Sequence, residues 1–418
     1  MIYNSGTKII KVGNINKISD QNQTVFQYIK ADSPTPPHDY SQDYLTFEAL
    51  ESGTFRFSGN SVNYSLDDGA TWTSLANNTE SPTVNVGEKI MFKATLVPST
   101  SYPQGIGKFR ATGRFNAMGN PYSLLDEDIF RTITDLTDYP SALYDLFNNE
   151  SDLVSAEHLS LPADTLSSRC YSGMFANCSG LTAAPELPAT NLDDRCYGAM
   201  FMYCTTLTTP PELPATTMAA SAYSEMFEDC HSLTTAPELP ATTLAQQCYY
   251  QMFDGCSALT TPPELPAPVM AVSAYSEMFQ YCTALTTAPV LSATTLADAC
   301  YKGMFSSCTS LTSAPELPAT TLAAKCYEDM FFHCTSLTLA PVLPAATLAE
   351  SCYASMIQQC SNISYIKMLA TDISATSCLL NWVYGVSATG TFIKDASMST
   401  LPTGDSGIPS GWTVQDNV

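Results

Sequence analysis

Charge is scarce in this sequence: Asp, Glu, Lys and Arg make up 14% of 418 residues, well below the ~25% of an ordinary soluble domain. A charge-laced coiled coil is thereby excluded. Basic residues are scarcest, 17 against 40 acidic ones, and the net charge of -23 repels phosphate backbones and anionic lipid. Nucleic acid is therefore not an expected partner. Long apolar runs are missing too: no stretch reaches the ~18 residues of a spanning helix, so no membrane insertion is expected. Met1 to Lys30 carries Lys8, Lys11 and Lys17 among Ile, Val and Asn and lacks the apolar core of a secretory leader. On that reading the chain is made and folded in a cytosol.

Catalytic vocabulary is also thin. His38, His158, His231 and His333 are scattered, no Cys-x-x-Cys pair offers a zinc site, and no glycine-rich phosphate loop follows a strand. Asp193-Asp194 are neighbours on an exposed face. No enzyme, cofactor or metal centre is expected. The 45% apolar content does support a real core and excludes a disordered chain.

What the sequence has in abundance is repetition. Met-Phe recurs at 174, 200, 226, 252, 278, 304 and 330, and Met356-Ile357 closes the series, a period of 26 without insertion. A weaker unit at Leu146-Phe147 precedes it, and Cys378 with Trp382-Val383 follows; both read as the end caps a solenoid requires. Units 205–230 and 257–282 agree at 19 of 26 positions, more than neighbours do, which points to duplication of a two-unit block. Within a unit, Leu192, Cys196, Tyr197, Met200, Phe201 and Cys204 suggest one stripe of a short helix. Leu207 and Leu213, flanking Thr and Glu212, suggest a short strand with the leucines inward. A proline in each strand, from Pro185 and Pro211 to Pro315 and Pro341, donates no backbone hydrogen bond, so these strands must be very short.

The fold expected is an α/β leucine-rich-repeat solenoid of 26-residue units, with short parallel strands plus short helices, preceded by a small all-β sandwich. Four segments follow. Residues 1–40 form a β-rich arm ending in a Pro-rich linker, and 41–130 the sandwich. Residues 131–384 form the solenoid with caps, and 385–418 a strand-and-turn tail. Sandwich strands are read at 54–57, 62–66 and 89–94 from alternating patterns, with a hairpin at Asp67-Asp68-Gly69.

The 15 cysteines fall on two ladders. Cys178, Cys204, Cys230, Cys256, Cys282, Cys308, Cys334 and Cys360 form one; Cys170, Cys196, Cys248, Cys300, Cys326, Cys352 and Cys378 form the other, with Ala222 and Ala274 at two of its positions. Sites eight residues apart in a helix lie ~12 Å from each other, and adjacent coils at helix-packing distance ~8–10 Å, both beyond disulfide reach. Both ladders therefore read as small buried hydrophobes. Glu186, Glu212, Glu238, Glu264 and Glu316 occupy one position of successive strands, interrupted by Val290 and Val342. Like charges stacked ~4.8 Å apart repel. The ladder is either a concave strip for calcium or a basic partner, or a solvated face.

The run Met-Phe-x-x-Cys-x-x-Leu-Thr-x-x-Pro-x-Leu-Pro-x-x-x-Leu-x-x-x-Cys-Tyr, from Met174 to Tyr197 and onward, resembles the BspA-type leucine-rich repeats of Bacteroides surface proteins and of the phages that infect those bacteria. The unit is longer than that family's usual one and has Pro where Ile often sits. With the low-charge, Thr-rich surface, the resemblance implies a structural virion fibre protein, of head or tail, adhering to the host surface. It would be assembled in the host cytoplasm and work in the virion. Its expected partners are other virion proteins through the N-terminal region and a host surface glycan or protein through the repeats. A homo-oligomer is expected, a trimer among the options. The alternative is a bacterial cell-surface BspA-like adhesin.

Overall fold

The structure is a computed structural model that describes residues 18–20, 23–25, 38–98, 105–399 and 401–417. Residues 1–39 form one unit and 40–418 another. In the first, strands β1 (Ile18–Asp20) and β2 (Gln23–Val25) pair antiparallel. The Pro-rich linker read at its end lies largely outside the described residues.

In the second unit, six strands form one sheet: β3 (Leu45–Ala49), β5 (Val62–Ser65), β6 (Thr73–Leu75), β7 (Lys89–Lys93), β9 (Phe115–Gly119) and β10 (Leu153–Leu159), in the order β10-β9-β3-β7-β5-β6. A second, two-stranded sheet pairs β4 (Phe55–Ser58) with β8 (Lys108–Ala111). The β5–β6 hairpin turns at the Asp67 segment, where Asp68 and Gly69 take φ of 53° and 83°. The Asp67 carboxylate accepts bonds from the Ser65 hydroxyl, the Thr71 hydroxyl and the Thr71 amide at 2.6–2.9 Å. Those bonds hold its carboxyl down at about 2, the Thr71 hydroxyl contributing most.

The sandwich and the repeats share one core. Phe47, Phe92, Phe109 and Phe115 pack ring against ring at 4.8–5.1 Å, and Phe47 and Phe109 reach Phe147, whose ring stacks on Phe175. The larger sheet of the sandwich is mixed: β10 comes from the repeat segment and pairs parallel to β9. Ser155 of β10 then bridges Ala183 of the next coil. The sandwich therefore covers the N-terminal end of the solenoid, the cap that a stack of identical coils needs.

The segment read as a short helix is not helical, and no α-helix occurs among the described residues. Every fourth residue is left-handed: Arg195, Ala199 and Tyr203 have φ of 52°, 54° and 60°. The N–H groups of Cys196, Gly198, Met200, Met202 and Cys204 bond three residues back. Those of Arg195, Tyr197, Ala199, Phe201 and Tyr203 bond to carbonyls of the next coil, at Ala220, Ala222, Ser224, Met226 and Glu228, over 2.8–3.1 Å. Each coil is thus a ribbon of consecutive four-residue turns, and ribbons stack side by side as strands do. A helix fails because a left-handed residue at each fourth position breaks the i to i−4 ladder. The sequence carried the clue: apolar pairs repeat at a period of four, whereas a helical stripe drifts about 40° every four residues. The left-handed positions of the coils also exclude β-branched residues throughout, taking Ser, Asp, Asn, Gln, Glu, Arg, Lys, His, Tyr, Ala and Gly instead.

Ala199 gives a direct test. Ala199→Gly should raise stability by up to ~1 kcal/mol and Ala199→Val should lower it by more than ~1 kcal/mol. Equal midpoints in guanidinium unfolding would contradict a left-handed backbone there.

Inside the stack, the ring ladder Phe175, Phe201, Phe227, Phe253, Phe279, Phe305 and Phe331 repeats at 5.4–5.7 Å with planes within 7°. A parallel ladder runs from Tyr171 to Tyr353 at 5.5–6.1 Å. These spacings are far shorter than the helix-packing distance expected between coils, because hydrogen bonds join the coils. All 15 cysteines are nonetheless free and buried. In the first ladder each thiol donates to a Phe carbonyl one coil back, as from Cys204 to Phe175 and Cys230 to Phe201, both at 3.1 Å. In the second ladder packing is compensated. Where Ala222 and Ala274 replace Cys, Met218 and Met270 stand four residues earlier in place of Leu and are buried to 5% and 6% exposure.

Opposite the ribbons, most coils meet through single parallel bridges, such as Thr217 to Thr243 and Thr235 to Thr261. The prolines explain this, since each removes a donor. Toward the C-terminus a true four-stranded parallel sheet forms: β11 (Leu339–Leu343), β12 (Tyr365–Met368), β13 (Thr391–Lys394) and β14 (Thr413–Asp416). Pro341 coincides with a register irregularity between β11 and β12, whereas the three proline-free strands pair regularly. Residues read as a capping tail thus continue the sheet.

Candidate functional site

Two faces of the coils present side chains to solvent. On the bridge side, Glu186, Glu212, Glu238, Glu264 and Glu316 are all exposed. The bridges at Thr217–Thr243 and Thr235–Thr261 hold coils in register at one unit, so Glu212, Glu238 and Glu264 fall at equivalent positions of successive coils. Val290 at 79% and Val342 at 49% exposure leave Glu316 alone between them. Exposed threonines flank the row: Thr216-Thr217, Thr242-Thr243 and Thr294-Thr295 on one side, Thr234-Thr235 and Thr260-Thr261 on the other. Some of these also serve the stack, since the hydroxyls of Thr260 and Thr312 donate to carbonyls of Thr234 and Thr286 one coil back. Among the described residues no three His, Cys, Asp or Glu side chains gather as a metal-holding group. The glutamates offer one carboxylate per coil, a row rather than a cage.

The turn-ribbon face carries a denser acidic group that the sequence reading did not identify. Glu225, Glu228, Asp229, Asp254 and Glu277 come from three consecutive coils. Arg195 Nη2 holds Glu225 at 2.8 Å; Gln251 Nε2 and the Tyr250 hydroxyl donate to Glu277 at 2.8 and 3.3 Å. Asp254 Oδ1 is buried without a hydrogen-bond partner. Burial, then the nearby Glu225 and Asp229 carboxylates, push Glu228 up to about 7. Asp254 rises to about 7 through burial, then Glu228, Asp229 and Glu277. The signal was available: Glu225 and Glu277 share one offset from their Met-Phe pairs, and Glu228 and Asp254 another. Only the stacking of coils makes them neighbours.

A pH dependence follows. Ordinary values for these groups are 4.5 and 3.8, so between there and about 7 the native state holds protons that the unfolded chain has released. Their contribution to stability is complete below the unfolded values and is lost as pH rises through the folded ones. Melting temperature should therefore fall from pH 5 to pH 8. The double variant Glu228→Gln, Asp254→Asn should flatten that slope; an unchanged slope would refute the assignment.

The histidines lie apart. His158 stacks on Tyr40 at 4.6 Å, His231 Nδ1 lies 2.9 Å from the Gly255 carbonyl, and His333 packs beside Phe332. None of these three contacts involves a cysteine or serine. Among the described residues no helix is long and apolar enough to cross a membrane.

No family model and no curated protein matches the chain. Among solved structures it is similar to a leucine-rich repeat protein from Bacteroides ovatus, at 14% identity and a TM-score of 0.33, over 67% of this chain and 79% of that one.

Proposed function

We propose that the chain is a structural, adhesive repeat protein, and more specifically a head or tail fibre protein of a bacteriophage virion. The observation that carries this reading is the coil stack. Ribbon hydrogen bonds, aromatic ladders and thiol bonds repeat in register over successive coils, closed at one end by the sandwich. Such a stack is stiff along its axis and grows by whole coils, which suits a stalk whose reach is set by copy number. Its bridge-side face repeats Thr, Pro and Glu at each step, and a repeating surface suits a repeating host glycan or an extended protein surface. The N-terminal region is the proposed attachment to other virion proteins, and the working form is a homo-oligomer. No catalytic step is assigned to the chain. Fifteen free thiols fit folding in a reducing cytosol before release, and favour this reading over a bacterial cell-surface adhesin.

Mass spectrometry of purified phage particles tests the proposal. The chain should appear at a stoichiometry that is a multiple of the particle's symmetry. Absence from particles together with presence in an outer-membrane fraction would replace it with the adhesin reading.

A further inference from the structure

On the turn-ribbon face a cleft of about 260 Å³ opens across three coils. It exists because the middle coil has lost its side chains: Gly303 and Ser306 stand where the coil before has Glu277 and Gln280, and the coil after has Asp329 and Phe332. Glu277 and Asp329 thus face each other across a glycine, and Tyr281, 53% exposed, and Phe332 wall the cleft. Its volume lies below the ~300 Å³ at which drug-sized ligands begin to be enclosed, but it fits the end of one side chain.

Three features define what would fill it. First, two carboxylates line it and no cationic side chain does; Lys302, the nearest base on the middle coil, is held by Glu328 at 3.1 Å. Second, burial, then Glu328, raises the Asp329 carboxyl; Lys302 offsets part of this and Glu277 adds to it, so a further cation between the two carboxylates is favoured. Third, Ser306 is 5% exposed, lines the cleft, and its hydroxyl has no hydrogen-bond partner among the described residues. A hydroxyl at the cleft wall with its hydrogen-bonding capacity unused can accept from or donate to whatever enters.

We propose that this cleft binds one basic side chain, arginine or lysine, presented by a protein partner. The cationic head lies between Glu277 and Asp329 with one N–H donated to the Ser306 hydroxyl, and the Tyr281 and Phe332 rings cover the stem and the face of the charge. A neutral polar group gains the hydroxyl contact but neither charge relief nor ring attraction. A flat sugar is disfavoured because the two rings belong to coils on opposite sides of Gly303 and do not form one platform. The site is independent of whether the protein works in a virion or on a cell.

The test uses the full chain and two capped amino acids, N-acetyl-arginine methylamide and its uncharged isostere N-acetyl-citrulline methylamide, followed by NMR. The arginine probe should bind saturably, with shifts centred on Tyr281, Ser306 and Phe332, and the citrulline probe should not. Asp329→Asn and Tyr281→Ala should each weaken binding at least about fivefold. Glu264→Gln on the opposite face, which removes the same charge, should leave it unchanged. Both cleft residues are at least partly exposed, so these variants should fold; retained wild-type circular dichroism and melting confirm it. Equal binding of both probes, no saturation by about 10 mM, or equal weakening by Glu264→Gln would overturn the proposal, the last by reducing it to diffuse charge attraction.

Discussion

Replacing Phe227 by Ala should cost about 3–5 kcal/mol of stability. The ring is fully buried and stacks on Phe201 at 5.6 Å and Phe253 at 5.7 Å, so its removal leaves a cavity and ends two aromatic contacts at once. The ladder makes this a worse site than an ordinary core position, because a solenoid has only nearest-neighbour interfaces and no second core to share the loss. The coils C-terminal to the gap should then unfold at lower denaturant than those nearer the sandwich, turning one guanidinium transition into two. Phe227→Ile should cost markedly less, in the range of shape-changing apolar swaps; Ile357 already fills the equivalent place near the C-terminal end at 1% exposure. On the exposed bridge face, Glu238→Ala should stay within about 0.5 kcal/mol. A loss below about 1 kcal/mol for Phe227→Ala would show that the ring ladder does not hold the stack.

Native protein should be almost inert to thiol reagents, although it carries 15 free cysteines. Reaction requires thiolate, and burial pushes Cys178, Cys196, Cys248, Cys300 and Cys360 up to about 12. At pH 8 that lowers the thiolate fraction from about a quarter to about one part in 10⁴, before access is considered. A disulfide-exchange dye should therefore label close to none of the thiols in minutes in buffer and all of them in denaturant. The first to react in buffer should be Cys378, near the C-terminal end of the stack, whose thiol rests on the Ile373 carbonyl at 3.3 Å. Several thiols labelling rapidly and together would mean that the coils open as a group far more readily than their packing implies.

The same two cases show how much could be read in advance. The period of 26, the inward Phe, Tyr, Leu and Cys positions, the Asp67 turn and the brevity of the proline-bearing strands all follow from residue spacing and from what proline and glycine permit. The apolar stripe suggests a helix, and the turn ribbon that forms in its place differs from one for an identifiable reason. Apolar pairs every four residues fit a helix over two turns, and the distinction from a period of 3.6 needs the longer run and the absence of β-branched residues at every fourth position.

The sequence by itself therefore determined that equivalent coils stack, which side chains they bury, and that their outer surface is acidic and poor in charge. Tertiary structure alone decided the backbone of each coil and the chemistry between coils. A left-handed residue at every fourth position is unfavourable in an isolated segment, and it persists here because the alternate N–H groups it frees find carbonyls about 25 residues away on the next coil. The same stacking brings Glu228 against Asp254, and Glu277 opposite Asp329 across Gly303. Those groups are remote along the chain, and only the fold places them at interacting distance.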